Sequence, residues 1–155
     1  MKRVAIIGCG AIGSTLAKAI DDGIVKAKLV GIFDIVEEKA RKLCEVLKSN
    51  KPLIARNLDE LLKLKPDIIV EAASQQAVKD YAVKILRNGI NLMIMSVGAL
   101  LDKSLFEEII GVLSEGDVKI YIPSGAIAGL DAIRTLRIVG IERVVLRSRK
   151  PPRAI

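Results

Sequence analysis

Short apolar runs alternate with amphipathic stretches along most of this chain. RVAII at 3–7, KLVGIF at 28–33, DIIVEAA at 67–73, NLMIMSV at 91–97 and VKIYI at 118–122 are predicted strands, with a weaker one near 53–55. Between them the apolar positions fall at helical spacing. Val36, Ala40, Leu43, Cys44 and Leu47 share one helix face. Ala77, Val78, Tyr81, Ala82, Ile85 and Leu86 share a second, and Leu105, Phe106, Ile109, Ile110 and Leu113 a third. Further helices are predicted from about Ala11 and over 57–63. Strands that are apolar on both faces and separated by helices call for a parallel sheet covered on both sides. The predicted fold class is therefore α/β, a doubly wound parallel sheet.

After Pro123 the grammar changes. SGAIAGLDAIRTLRIVG reads as a glycine-containing turn and a helix, and IERVVLRS at 141–148 as one more strand. That strand has no successor, so it is expected to present an open edge that invites self-association. The expected organisation is a complete first domain over 1–123, then residues 124–155 as the truncated start of a second α+β domain.

Composition narrows the function classes. At 155 residues, 51% of them hydrophobic, the chain can bury a core and is not disordered. No apolar run reaches the ~18 residues of a membrane span, and MKRVAIIG is a strand start and not a signal peptide. Two cysteines, Cys9 and Cys44, are too few for a disulfide scaffold or a metal cluster, which favours a reducing cytoplasm. The chain has no histidine, so no imidazole-based triad, zinc site or acid/base can be built from it. Proton transfer would fall to a carboxylate, lysine, tyrosine or cysteine. The lack of tryptophan and the wealth of Ile, Lys and Glu fit a thermophilic source.

The net charge of +7 is uneven: residues 1–133 hold 18 basic and 17 acidic side chains. Residues 134–155 hold Arg134, Arg137, Arg143, Arg147, Arg149, Lys150 and Arg153 against Glu142 alone. With only 3% aromatic residues there is no stacking platform for single strands, so the basic segment is read as meeting an acidic ligand or neighbour and not nucleic acid.

GCGAIG at 8–13 fits G-x-G-x-x-G, directly after a predicted strand and opening a helix. Gly8 permits the tight turn, Gly10 lets the backbone approach a pyrophosphate, and Gly13 lets helix and strand pack closely. The helix start, with Ala11 and Ile12, offers unpaired N–H groups to the phosphates. Asp34 ends the second strand about 20 residues on, where a carboxylate accepts the adenosine ribose hydroxyls of a Rossmann-type domain. A 2′-phosphate there would meet a like charge, at about 4 kcal/mol per unit charge at 4 Å and an effective dielectric near 20. NAD is favoured, with NADP admitted if Lys39 or Arg41 offsets that repulsion.

In such sheets ligands bind beyond the carboxyl ends of the strands. Small residues cluster there in EAASQQAV (71–78), SVGA (96–99) and PSGAIAGLD (123–131), leaving room for a nicotinamide ring. Ser74 can cap the following helix, contact cofactor, or both. Glu71 reads as a buried strand-end carboxylate or hydrogen-bond acceptor and not as a general base. Cys9 is read as a spacer within the loop and Cys44 as core.

EAASQQAVKDYA at 71–82, SVGAL at 96–100, IPSGAIAGLDAI at 122–133 and RSRKPP at 147–152 resemble the L-aspartate dehydrogenase family along the whole chain. The resemblance implies oxidation of L-aspartate to iminoaspartate with NAD or NADP, feeding NAD biosynthesis, in a cytoplasmic homo-oligomer with no nucleic-acid or membrane partner. It implies that the Gly8, Gly10 and Gly13 loop holds the pyrophosphate and Asp34 the ribose. Ala73, Ser74, Ser96, Gly98 and the turn of Ser124, Gly125 and Ala126 would line the nicotinamide side. Family members run on beyond this length and carry their catalytic histidine there, so no catalytic residue is assigned here, and cofactor binding without efficient turnover is expected. Two alternatives remain open at this point. One is a stand-alone NAD-binding regulatory module like the RCK domains of potassium channels. The other is a dehydrogenase of glucose–fructose oxidoreductase type, although SVGAL replaces the E-K-P triplet usual there.

Overall fold

The computed structural model describes residues 1–49, 51–125, 129–147 and 149. Strands and helices alternate as β1 (Lys2–Ile7), α1 (Ala11–Asp21), β2 (Ala27–Phe33), α2 (Glu37–Val46), β3 (Leu53–Ile54), α3 (Leu58–Lys63), β4 (Ile68–Glu71), α4 (Gln75–Arg87), β5 (Asn91–Ile94), α5 (Lys103–Glu115), β6 (Ile120–Tyr121) and α6 (Leu130–Leu136). A 3-10 turn over Val97–Leu101 joins β5 to α5. The sheet runs β3-β2-β1-β4-β5-β6 and every pairing is parallel. This is the Rossmann-type doubly wound sheet that the alternation of patterns predicts. The chain winds outward from β1 in both directions, so a crevice opens above the carboxyl ends of β1 and β4.

The strands are apolar on both faces because helices cover both. Val4 and Ile6 of β1 pack with Ala17 and Ile20 of α1 and with Ala40 and Leu43 of α2. Ala5 and Ile7, pointing the other way, join Leu61 of α3, Val78 and Ile85 of α4 and Ile109 of α5. The register of β1 against β2 shifts between Val4 and Ala5. No helix among the described residues is long and apolar enough to cross a membrane.

Three of the five apolar runs give shorter strands, that at 118–122 keeping only Ile120–Tyr121. The predicted strand at 67–73 ends at Glu71: the Ala72 N–H still bonds the Ile7 carbonyl of β1, but the Glu71 side chain takes the N–H groups of Ala73 and Ser74. The one at 91–97 ends at Ile94, before the chain coils into the 3-10 turn.

The chain divides into two units after Pro123. In the second, α6 follows Gly129, which sits at φ +83°, and buries none of its residues. The strand expected at 141–148 is not found: residues 141–147 form none, and Ser148 lies outside the described residues. A strand exists by its ladder, and no described segment pairs with this one. Val144, Val145 and Leu146 are left exposed.

Candidate functional site

The glycine loop between β1 and α1 is built by sterics. Gly8 has φ +96°, and a Cβ there would lie 2.6 Å from the Ala72 carbonyl oxygen. A Cβ on Gly13 would overlap the Gly8 carbonyl oxygen. Both positions are therefore closed to any side chain by the protein's own backbone. Gly10 differs: nothing lies within 4 Å of a Cβ built there. The fold leaves that space open, directly above the start of α1. Helices α3, α4 and α5 begin with side-chain caps from Asn57, Ser74 and Asp102. Helix α1 begins at Gly10 with no side-chain cap and no acidic residue in its first turn. The N–H groups around Ala11, Ile12 and Gly13, with the positive end of the helix dipole, face the space where an anion would approach. Ile12 is exposed beside it.

Asp34 is not a free surface carboxylate. Its Oδ2 accepts the Cys9 N–H at 2.7 Å and its Oδ1 the Val36 N–H at 2.8 Å, which ties the end of β2 to the glycine loop. The Gly8 N–H adds a bond to the Phe33 carbonyl at 2.7 Å. Each carboxylate oxygen keeps acceptor capacity for a further donor such as a sugar hydroxyl. Beside Asp34 lies a cleft of about 130 Å³ between the glycine loop, the end of β2 and the first turns of α4. Phe33, Ile35, Ala77 and Tyr81 give it apolar walls, and Phe33 and Tyr81 meet edge-on at 5.9 Å. Gln76 and Asp80 line it too, joined by a 2.7 Å bond from Nε2 to Oδ1. Sequence reasoning placed Tyr81 on a core face and did not single out Gln76 or Asp80. Their i, i+4 spacing at the start of the helix after Ser74 was the available signal.

At the ends of β4 and β5 the network centres on Glu71, which is 2% exposed. Its Oε1 accepts from the N–H groups of Ala73 (2.8 Å) and Ser74 (2.9 Å) and from the Ser96 hydroxyl (2.8 Å). Its Oε2 accepts the Ser96 N–H at 3.0 Å. Ser74 also caps α4, its hydroxyl accepting the Ala77 N–H at 3.2 Å. The structure thus brings Ala73, Ser74 and Ser96 together around one buried carboxylate. Gly98 lies in the following turn against Gln75, where a Cβ would come within 2.5 Å of the amide nitrogen. Ser124 and Gly125 begin the second unit, Gly125 at φ +63°, and Ala126 lies outside the described residues.

Cys9 points into the core between α1 and α2. Burial first, and the Asp34 carboxylate second, push its thiol up from 9.0 to about 12. A thiol held that firmly in its protonated form is no nucleophile, as its reading as a spacer requires. Cys44 is half-buried on α2, its thiol 3.9 Å from the Pro52 carbonyl oxygen.

Comparison with known proteins adds independent findings. The family model described as "Homoserine dehydrogenase, NAD binding domain" matches residues 8–123. The L-aspartate dehydrogenase of Methanocaldococcus jannaschii is 44% identical over 156 aligned residues, covering all of this chain and 57% of that protein. The L-aspartate dehydrogenase of Nitrosopumilus maritimus is 43% identical, with 100% and 56% coverage. The chain thus spans somewhat over half the length of the curated relatives it matches. Among solved structures, aspartate dehydrogenase from Thermotoga maritima superposes with a TM-score of 0.68 at 25% identity, covering 89% of this chain and 52% of that one. A myo-inositol dehydrogenase from Lactobacillus casei, solved with NAD(H) and myo-inositol, gives a TM-score of 0.75 at 17% identity, with 91% and 42% coverage. At that identity the likeness is one of fold.

Proposed function

The chain belongs to the family of NAD-binding domains whose model spans its residues 8–123, and from that premise we propose that it is the cofactor-binding part of an L-aspartate dehydrogenase. Its reaction would break the Cα–H bond of L-aspartate and remove one amine proton, giving iminoaspartate. Bound NAD(P)+ would supply the acceptor for the hydride and become NAD(P)H. The chain's own residues have the binding and orienting roles. The loop of Gly8, Gly10, Ala11, Ile12 and Gly13 would hold the pyrophosphate, and Asp34 the adenosine ribose. The cleft beside Phe33 and Tyr81, with its apolar walls, would take the adenine. Ala73 and Ser74 also line that cleft, and with Ser96 and Gly98 they would form the wall that runs from it toward the nicotinamide.

The observation that carries this reading is the open space at Gly10 above an uncapped helix start, next to a pinned Asp34. The fold itself closes Gly8 and Gly13 to a side chain, whereas at Gly10 it leaves room for a group that approaches from outside. Asp34 favours NAD, with NADP as the alternative cofactor. No catalytic acid or base is assigned among these residues, and with no histidine the chain alone is expected to bind cofactor while turning over slowly. A cytoplasmic setting, L-aspartate as the small-molecule substrate and a homo-oligomeric state belong to the same proposal; neither nucleic acid nor a membrane is a proposed partner.

The test is L-aspartate-dependent reduction of NAD and NADP by the purified chain, with the melting temperature recorded with and without cofactor. A melting shift with little turnover is the expected result. Efficient turnover would mean that the chain holds its own acid/base. No shift with either cofactor would reduce the glycine loop to a structural turn.

A further inference from the structure

Between α1 and α2 runs a groove of about 290 Å³. Lys18 of α1 and Lys39 and Lys42 of α2 line it, and none of its lining residues is acidic. All three lysines are exposed. Lys42 lies 3.5 Å from Glu38, an exposed i, i+4 pair that contributes little and is easily exchanged for a stronger anion. Lys18 and Lys39 form no ion pair among the described residues. Lys39 sits in the first turn of α2, where a cation opposes the helix dipole, so the helix gains nothing from it there. Arg41 of the same helix differs: its Nε and Nη2 donate to Glu37 Oε1 at 3.0 and 2.6 Å, outside the groove. The Ser14 hydroxyl donates to the Cys9 carbonyl at 3.0 Å, so the ammonium groups are what the groove offers an anion. Cys9 lines this groove and Asp34 lines the cleft beside Phe33, and the Cys9 N–H donates to Asp34 Oδ2 at 2.7 Å. The basic groove and the cleft therefore adjoin across one hydrogen bond.

We propose that the groove between α1 and α2 binds a phosphate monoester group, its charge met by Lys18, Lys39 and Lys42. Ammonium groups drawn from two helices, with no planar guanidinium fork among them, suit a tetrahedral dianion better than a carboxylate. Two sources carry that chemistry: a free phosphate ester, and the 2′-phosphate of NADP+ on a ribose held at Asp34. The second source rests on the reading of the chain as an NAD-binding domain, whereas the site itself does not. With that source, the lysines offset the repulsion between Asp34 and a 2′-phosphate, and NADP+ is accepted beside NAD+. At about 4 Å and the dielectric of water, each lysine is worth about fivefold in affinity per unit of ligand charge.

The experiment measures dissociation constants of inorganic phosphate, NADP+ and NAD+ by titration calorimetry at constant ionic strength. It compares the full chain with Lys39→Gln/Lys42→Gln and with Arg41→Gln. The substituted side chains are all exposed, so both variants are expected to fold. The double variant is expected to weaken inorganic phosphate by at least about tenfold. Arg41→Gln removes a like charge from the same helix outside the groove, and is expected to change that affinity by less than about twofold. An equal loss for NADP+, with NAD+ unmoved, supports the site and assigns it to the ribose phosphate. A loss for phosphate with the NADP+ to NAD+ ratio unchanged supports the site and assigns it to a free ester. If the double variant moves neither phosphate nor NADP+, or Arg41→Gln moves them as far, the proposal is overturned. A wild-type chain that binds phosphate through these lysines but neither dinucleotide keeps the site and sinks the NAD-binding reading instead.

Discussion

The three glycines of the loop answer to different neighbours, and substitution separates them. Gly13→Ala places a methyl group on the Gly8 carbonyl, so it is expected to cost about 2–4 kcal/mol of stability, read as a drop in melting temperature. Gly10→Ala meets open space and changes only an N-cap, so about 1 kcal/mol or less is expected, while cofactor affinity falls at least about tenfold. Equal loss of binding and stability in both variants would contradict the assignment. Cys9 gives a pH test. Its thiol is held up at about 12 in the folded chain against 9.0 in the open one, so the stability it brings is complete below pH 9 and lost as pH rises toward 12. Cys9→Ala is expected to flatten that alkaline decline, and the wild-type thiol to resist alkylation at pH 8. The glycine spacing and Asp34 were legible in the sequence because they follow a strand at a fixed offset. The anchoring of Asp34 to Cys9 and of Glu71 to Ser96 was not. Each spans 25 residues and joins a side chain to a loop, which leaves no periodic trace.

At the scale of elements, helices α4 and α5 are joined by ions as well as by apolar contact. Lys79 of α4 reaches Asp102 at 2.7 Å, and Arg87 reaches Glu108 at 3.0 Å. Asp102 also caps α5 through the Leu105 N–H. The bond from Lys79 holds the Asp102 carboxyl below its ordinary value. The stability it brings is present above the ordinary carboxylate range and lost as pH falls through the lowered value. The gap in urea midpoint between wild type and Asp102→Asn is expected to be open at pH 7 and to narrow progressively as pH falls below the ordinary carboxylate range; a gap independent of pH would remove the ion pair from the account. The helices were legible by their 3.6-residue period and the strands by runs of Ile and Val. The ends of β4 and β5 were not, because the backbone there leaves the ladder to serve the Glu71 carboxylate, which apolar patterning cannot signal. The strand read at 141–148 shows the opposite error. β-branched residues propose a strand, but only a partner makes one.

The whole molecule is uneven in burial and charge. The sheet and its two core clusters lie before Pro123, whereas α6 buries nothing and Ile138, Val139, Val145 and Leu146 stand exposed in a basic segment. Limited trypsin digestion is expected to cut first between Arg134 and Arg149 and to leave a fragment holding the first unit. That fragment is expected to keep a cofactor-induced melting shift, and its loss would move part of the binding surface beyond Pro123. The exposed apolar residues make self-association the expected behaviour of the intact chain, and a clean monomer by light scattering would contradict it.

The winding of the sheet also sets an order of events in synthesis. β1 pairs with β2 within one crossover, but its other neighbour is β4, with Val4 opposite Ile68, 64 residues further along. At about 5–20 residues per second, the nascent β1 edge waits roughly 3 to 13 seconds for its partner. Through that interval an apolar strand edge stands open to wrong pairing, with Lys2 and Arg3 as its nearest guards. When β4 arrives, the same end of β1 becomes a latch. The Arg3 N–H donates to the Asp67 carboxylate at 2.6 Å, its guanidinium to the Leu64 carbonyl at 2.6 Å, and Lys2 pairs with Asp67 at 3.9 Å. The charges that keep strangers off the growing edge are those that fasten the right strand to it.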